Sequence, residues 1–170
     1  MKLASLKVLL EAFNRADIRY LIAGGLAVNA HGYQRLTHDV DLVVWLEEDN
    51  IHRAFCALES IGYKPLIPIR AEDFADQETR QSWIDNKHMR VLNFHSDQHR
   101  ETPLDVFVSY DFDFDQEYRN ALQGEILPDI NTRFLSLETL IRMKEQAGRN
   151  KDLDDIQHLR WILDEKSRDD

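Results

Sequence analysis

The sequence predicts a mixed α/β fold, of the α+β type, in which helices flank a single β-sheet. Segments with strand-like apolar patterns alternate along the chain with segments whose apolar residues recur at helical spacing. The polar connection between residues 94 and 104 is too short for a crossover. The strands on either side of it are therefore expected to pair antiparallel, which makes the sheet mixed.

The domain organisation is expected to be simple. Only four prolines and six glycines punctuate the chain, and no repeat or low-complexity stretch divides it. We therefore expect one domain over residues 1–170, with a core of about 1–128 and a helical C-terminal segment of about 129–170.

The first elements follow from apolar spacing. Leu3, Leu6, Leu10 and Phe13 fall on one helical face, which predicts a helix over about residues 2–15. The elements expected next are a strand over Ile18 to Ala23, a short helix over Leu26 to Ala30, a strand over Asp39 to Trp45, and a helix around Ile51 to Ile61 that Asp49 or Asn50 caps and Gly62 ends.

The second half of the chain continues the alternation of strands and helices. The expected elements are a strand at Lys64 to Ile69, a partly helical segment at Glu72 to Ile84, strands at Met89 to Phe94 and Leu104 to Ser109, a helix at Gln116 to Leu122, and two helices at about 136–148 and 152–164. The last two helices make up most of the expected C-terminal segment.

Composition restricts the class of protein. Hydrophobic residues are 43% and charged residues 31% of the chain, as in globular proteins. No apolar run is long enough to cross a bilayer, and Glu11, Asn14 and Arg15 interrupt the only segment that is similar to a signal peptide. We therefore expect a first helix at the N-terminus, a cytoplasmic protein and no membrane partner.

The charge and the cysteine content exclude further classes. A formal net charge of -10 argues against a broad nucleic-acid surface, although a local basic groove is compatible with it. Cys56 is the only cysteine, which excludes an internal disulfide and any zinc site with several cysteine ligands. Its place in a helical segment predicts a small core residue.

Two aspartates on one strand are the first candidate for chemistry. Asp39 and Asp41 alternate with apolar residues, so their carboxylates are expected to lie side by side on one face of the strand. Such a pair of like charges is costly unless water or a cation neutralises it, and magnesium prefers carboxylates together with phosphate oxygens. Taken alone, the pair is better explained by two solvated acids on an exposed strand.

Two further features complete the candidate set. Gly24 and Gly25 end a strand and open a short helix, where backbone N–H groups can approach a phosphate. Asp105 lies inside an otherwise apolar strand, where an acid packs poorly. If that strand neighbours the strand of Asp41, Asp105 completes a triad that binds metal or takes a proton from a hydroxyl. Otherwise Asp105 faces solvent on an edge strand.

Together these residues resemble the nucleotidyltransferase superfamily, the fold of DNA polymerase beta-like enzymes and minimal nucleotidyltransferases. In that pattern a Gly-Gly or Gly-Ser turn and a short helix precede Asp-x-Asp, and a third carboxylate follows on a later strand. Here thirteen residues separate Gly24-Gly25 from Asp39, and Asp105 follows. The resemblance covers about residues 20–108.

The resemblance implies a reaction and a set of roles. A nucleoside triphosphate would be bound by Gly24 and Gly25, and two Mg²⁺ ions by Asp39, Asp41 and Asp105. Asp105 would also activate the acceptor hydroxyl, which attacks the α-phosphorus while pyrophosphate leaves. By the same resemblance Arg35 and Thr37 help to hold the triphosphate or brace the loop, although a turn arginine and a strand-start threonine explain them as well.

The C-terminal part adds a second resemblance. Residues 144–155 are similar to the Lys…Arg-x-Lys-Asp-x-x-Asp ending of abortive-infection (AbiEii-like) nucleotidyltransferase toxins, and related endings occur in small antibiotic-modifying nucleotidyltransferases. That likeness implies that Lys144 contacts nucleotide phosphates and that Lys151, Asp152 and Asp155 shape the nucleotide or acceptor site. The alternative for the two aspartates is capping of a helix start.

Two functional hypotheses follow from these patterns. The first is a magnesium-dependent nucleotidyltransferase whose acceptor is a hydroxyl of tRNA, of a protein or of a small molecule. The second is a protein of the same fold that acts by binding, as a toxin–antitoxin component with a small helical partner protein. Neither the base of the nucleotide nor the oligomeric state follows from the sequence.

Overall fold

One mixed sheet organises the computed structural model, which describes residues 1–169. Within that range the sheet has seven strands in the order β3-β4-β5-β2-β1-β7-β6. The strands are β1 (Tyr20–Ile22), β2 (Val40–Val44), β3 (Lys64–Pro65), β4 (Val91–His95), β5 (Leu104–Phe107), β6 (Leu122–Leu127) and β7 (Ile130–Phe134). Strand β2 pairs in parallel with β5, and β1 with β7, whereas the other neighbouring strands pair antiparallel.

The helices connect and cover these strands. They are α1 (Leu3–Arg15), α2 (Gly24–Ala30), α3 (Glu48–Ser60), α4 (Ala71–Ala75), α5 (Gln77–Lys87), α6 (Phe114–Asn120), α7 (Leu137–Ala147) and α8 (Leu153–Asp169), with a 3-10 turn at Asn150–Asp152. The core includes the apolar faces of α1 and α3 together with the buried side chains of β1 and β2. In the described residues 1–169, no helix combines the length and apolar character needed to span a bilayer.

The fold confirms the mixed helix-and-sheet class and the main strand neighbours. Strands β4 and β5 are antiparallel, as their short connection predicts. Strands β2 and β5 are adjacent and parallel, with Asp41 opposite Asp105 in the register. Asp41 and Asp105 therefore lie on neighbouring strands, as the predicted aspartate triad requires.

A hairpin of β6 and β7 departs from the sequence-based expectation. The helix expected to reach Leu122 ends at Asn120, and the segment expected to be helical from about residue 129 contains β7, which joins the sheet beside β1. A boundary near residue 128 thus falls inside a hairpin. Its turn is Pro128-Asp129, and Asp129 has a positive φ of 64°. An aspartate in a two-residue loop is a hairpin signal that could have identified these strands.

Smaller differences concern helix α3 and the strand at residue 64. Glu47, rather than Asp49 or Asn50, caps α3, and its carboxylate accepts from the Asn50 backbone N–H. Asn50 is instead fully buried, where its amide binds the backbone of Arg19 and Trp45. Cys56 lies on α3 as expected but is exposed, because it points away from the buried face of the helix. Strand β3 extends over only two residues of the six expected.

Candidate active site

Three aspartates converge where β2 and β5 begin. Asp39 immediately precedes β2, Asp41 lies within it, and Asp105 is the second residue of β5. One carboxylate oxygen from each of them lies within 4.8 Å of the others. Strand alternation brings Asp39 and Asp41 to one face, and the parallel register of β2 and β5 adds Asp105. The triad expected from the sequence is therefore assembled.

Burial and mutual repulsion make this cluster electrostatically unfavourable without a counterion. Burial, followed by the charges of Asp39 and Asp105, raises the pKa of Asp41 to about 6. Burial also raises the pKa of Asp105, although a hydrogen bond from the Asn93 side chain at 2.7 Å opposes this shift. A cation bound by the three carboxylates would remove the repulsion. An all-carboxylate donor set fits Mg²⁺, which is a hard cation.

The glycine turn packs directly against Asp41. Gly24 has a φ of +57°, and a Cβ on it would lie 1.8 Å from a carboxylate oxygen of Asp41. A Cβ on Gly25 would lie 2.6 Å from Thr37 Oγ1. Both positions therefore exclude a side chain, since real Cβ atoms do not approach other atoms so closely. The absence of side chains brings the backbone of α2 next to the aspartate cluster.

The loop from α2 to β2 presents Arg35 and Thr37 beside this turn. Asn29 holds the loop in place, because its side chain accepts from the Arg35 backbone N–H at 2.9 Å and donates to the Arg35 carbonyl at 3.0 Å. Thr37 Oγ1 donates to the Asp39 carbonyl at 3.3 Å. Arg35 and Thr37 thus lie next to Gly25, and their role in holding the triphosphate stays a prediction. Asn29 was missed, since an asparagine in a short helix carries no distinguishing sequence signal.

A buried cluster of charges joins α7 and α8 to the same loop. The Lys144 ammonium, only 6% exposed, donates to Asp152 at 3.0 Å and to Asp155 at 2.8 Å. Asp155 also accepts from Arg35 at 2.9 Å, and Asp152 from Arg149 Nε at 2.6 Å. Burial disfavours ionisation of Asp152, but the hydrogen bonds from Arg149 and Lys144 outweigh it and lower the pKa of Asp152. We refer to these five residues as the buried charge cluster.

This cluster changes the interpretation of the C-terminal residues. Asp152 and Asp155 are 1% and 2% exposed and bind basic side chains, which favours a role in positioning those side chains at the nucleotide or acceptor site over direct contact with an acceptor. Their carboxylates hold Arg35, Lys144 and Arg149 in place. Lys151 is exposed on the 3-10 turn, and its charge favours the ionised form of Asp105 and so opposes the rise in the pKa of that carboxyl. Arg149, the arginine of the C-terminal motif, also lines the cleft.

A cleft of about 540 Å³ opens beside the aspartate cluster. Its lining includes Gly24, Asp41, Asp105 and Lys144. Most of the remaining lining comes from α5, from β4 and β5, from the segment that follows β5, and from α7. These residues include Gln81, Ile84, Val91, Phe107, Tyr110 and Met143. Its size suits a small molecule, and two of the three clustered carboxylates, those of Asp41 and Asp105, line it.

The comparison with protein families bears on the function. The sequence matches the profile of the aminoglycoside-2''-adenylyltransferase family over residues 5–159. No curated protein matches the chain significantly in sequence. The narrower likeness of residues 144–155 to AbiEii-like toxins stays a prediction, since the family match does not carry it.

Solved structures share the fold at low sequence identity. The crystal structure of ANT(2'')-Ia with adenylyl-2''-tobramycin has a TM-score of 0.61 at 13% identity, covering 94% of this chain and 88% of that one. The lincosamide adenylyltransferase LnuA, bound to lincomycin, gives 0.58 at 17% identity, with 95% and 98% covered. A nucleotidyltransferase-like protein from Paracoccidioides brasiliensis gives 0.53 at 19% identity, with 94% and 74% covered. At these identities the likeness establishes the fold.

Proposed function

The chain belongs to the aminoglycoside-2''-adenylyltransferase family, and from this premise we propose that it transfers AMP from ATP to a hydroxyl group of a small molecule in a magnesium-dependent reaction. The observation that carries the proposal is the convergence of Asp39, Asp41 and Asp105, of which Asp41 and Asp105 line the cleft. Family membership favours a small-molecule acceptor over tRNA or a protein.

The three carboxylates are the proposed magnesium ligands. Their oxygens are close enough to share a cation, and the raised pKa of Asp41 reflects the charge that such a cation would neutralise. When bound, magnesium would supply charge neutralisation at the phosphate oxygens and would favour loss of the hydroxyl proton. Two ions fit the pattern of the superfamily that the sequence resembles.

The triphosphate is proposed to lie along the turn of α2. The backbone N–H groups of Gly24 and Gly25 would face its oxygens, and the Arg35 guanidinium and the Thr37 hydroxyl stand beside Gly25. Lys144 and Lys151 would add positive charge from the C-terminal side. Because Asp152 and Asp155 both bind Lys144, we propose that this lysine acts through the field it creates at the phosphates.

Asp105 is proposed to receive the proton of the acceptor hydroxyl. The hydroxyl oxygen then forms a bond to the α-phosphorus, the bond from that phosphorus to the bridging oxygen breaks, and pyrophosphate leaves. Burial raises the pKa of Asp105, which makes the carboxylate a stronger base than an exposed aspartate. The hydrogen bond from Asn93 orients the carboxylate toward the cleft.

Magnesium-dependent transfer from labelled ATP tests this function. Replacement of Asp105 by Asn keeps the size of the side chain but removes the base, so we expect turnover to fall about 10²- to 10⁴-fold. Asp39→Ala and Asp41→Ala are expected to reduce transfer to background. The matched control is Asp164→Asn, which changes an exposed aspartate of α8 and should keep full activity. Full activity of Asp105→Asn would contradict its proposed role.

A further inference from the structure

The junction between β7 and α7 lies beside the proposed nucleotide site. It consists of Leu135, which lines the cleft, and Ser136, which is the N-cap of α7. The Leu135 backbone N–H donates to the Ile22 carbonyl at 3.0 Å, so the junction packs against the end of β1, just before the glycine turn. Helix α7 carries Lys144 into the cleft. The place of this junction therefore bears on where Lys144 stands relative to that turn.

A buried carboxylate from α6 holds the first turn of α7. Glu117 is 6% exposed and accepts from the Ser136 backbone N–H at 2.7 Å and from the Ser136 hydroxyl at 3.2 Å. It also accepts from the Thr139 hydroxyl at 2.7 Å. All three donors belong to the start of α7, where the helix dipole also favours a negative charge. Because a buried carboxylate is costly without its donors, these bonds fix α7 firmly to α6.

A histidine from α2 holds the same junction. His31, the C-cap of α2, places its Nε2 2.7 Å from the Leu135 carbonyl oxygen. A carbonyl oxygen only accepts, so Nε2 carries the proton and donates. Burial lowers the pKa of His31, which favours the neutral ring. Helix α2 extends only from Gly24 to Ala30, so this bond ties the junction to the short helix that opens with the proposed triphosphate turn.

Helix α7 transmits the position of its first turn to the cleft. Leu140, Met143 and Lys144 line the cleft, and Thr139 precedes Leu140 directly. Lys144 follows Thr139 by five residues, about 7.5 Å along the helix axis, so a displacement of the first turn also displaces Lys144. We infer that Glu117 and Thr139 are positioning residues of the nucleotide site, whose hydrogen bond sets the Lys144 ammonium against the triphosphate. The inference rests on the proposed function.

Calorimetric titration with Mg·ATP tests the inference and needs no acceptor. Thr139→Val keeps the shape of the side chain but removes the hydroxyl, so we expect the Kd for Mg·ATP to rise about threefold to tenfold. Glu117→Gln leaves one acceptor oxygen for three donors and should raise the Kd in the same way. Thr139→Ser retains the hydroxyl and should restore a Kd close to that of the natural chain.

Thr132→Val is the matched control, because it removes a buried hydroxyl away from the glycine turn. Thr132 is 6% exposed and donates to the Tyr20 hydroxyl at 3.3 Å, beside the first residue of β1. Thermal unfolding would confirm that every variant is folded at the temperature of titration. An unchanged Kd in both Thr139→Val and Glu117→Gln, or an equal rise in Thr132→Val, overturns the inference and leaves the proposed function intact. A natural chain that does not bind Mg·ATP contradicts the proposed function and the inference with it.

Discussion

At the scale of single residues, Gly24 is required for two reasons, which a comparison with a second glycine can separate. It has a φ of +57°, and its missing Cβ leaves the space that the Asp41 carboxylate occupies. Gly24→Ala is expected to destabilise the protein and to abolish transfer, because it adds a clash to the cost of a left-handed backbone. Thermal unfolding and the transfer assay would measure both effects.

Gly148 provides the matched control for this substitution. Its φ is +61°, but an added Cβ would meet its nearest atom only at 4.0 Å. Gly148→Ala should therefore cost only the backbone term, about 1–2 kcal/mol. Equal losses of stability and activity in the two variants would contradict the importance of the contact between Gly24 and Asp41.

Asp41 is the residue at which stability and function oppose each other. Without divalent cations, Asp41→Asn is expected to raise the melting temperature at pH 7.5, because it removes one of three crowded charges. The pKa of Asp41 in the folded protein, about 6, exceeds its ordinary value of 3.8, so ionisation destabilises the fold progressively as pH rises from 3.8 to about 6. The rise in melting temperature caused by Asp41→Asn should therefore be full above this pH range and should vanish below it.

Magnesium should reverse the order of stability, so that the natural chain becomes more stable than Asp41→Asn. The natural chain is expected to gain stability on addition of Mg²⁺, whereas Asp41→Asn should gain little, since a ligand that binds only the folded state stabilises it. Differential scanning fluorimetry in EDTA and in magnesium would compare the two proteins. A variant that is less stable than the natural chain in EDTA would contradict the role of charge repulsion.

At the scale of secondary-structure elements, the buried charge cluster connects α7 and α8 with the loop before β2. Asp155, 2% exposed, binds both Lys144 and Arg35. Asp155→Ala leaves the buried Lys144 with one fewer partner and frees Arg35. We expect a loss of about 3–5 kcal/mol in the free energy of unfolding. The KM for ATP should also rise, because Arg35 is no longer held beside Gly25.

A second ion pair between the same two helices is the control. Glu145 on α7 pairs with Arg160 on α8, and their side chains are 41% and 61% exposed. Water screens such a pair, so Glu145→Ala should change stability by at most about 1 kcal/mol and leave the KM for ATP unchanged. Urea unfolding would measure the free energy of unfolding of both variants. Equal effects of the two substitutions would show that burial of the cluster has no special importance.

At the scale of the whole molecule, the β6–β7 hairpin makes the C-terminal part integral to the sheet. Strand β7 pairs with β1, and α7 contributes Leu140 and Lys144 to the cleft. We propose that the chain folds as one unit, so a chain that ends at residue 128 is expected to lack cooperative unfolding. Circular dichroism during thermal unfolding would detect this loss.

A shorter deletion provides the control for chain length. Residues 164–168 of α8 are exposed, and the last fully buried core residue of that helix is Leu159. A chain that ends at residue 163 should therefore unfold cooperatively, close to the melting temperature of the natural chain. A cooperative transition in the chain that ends at residue 128 would instead support a separate core.

Much of the fold could be predicted because its signals are local. Helices α1, α3 and α7 have apolar residues at helical spacing, and strand β2 alternates acids with apolar residues. Strands β6 and β7 were not predicted. Gly124 and the polar residues of β7 weaken the apolar alternation, and β7 is stabilised by pairing with β1, which is distant in sequence.

The residues proposed to bear the chemistry could be named from local sequence patterns, whereas their contacts depend on the folded chain. Side-chain alternation along β2 placed Asp39 and Asp41 together, because the two-residue period of a strand is a local property. The partners of Lys144 and the burial of Asp152 and Asp155 were not predictable. They depend on which segments distant in sequence pack together, and on which charges lose water when they do.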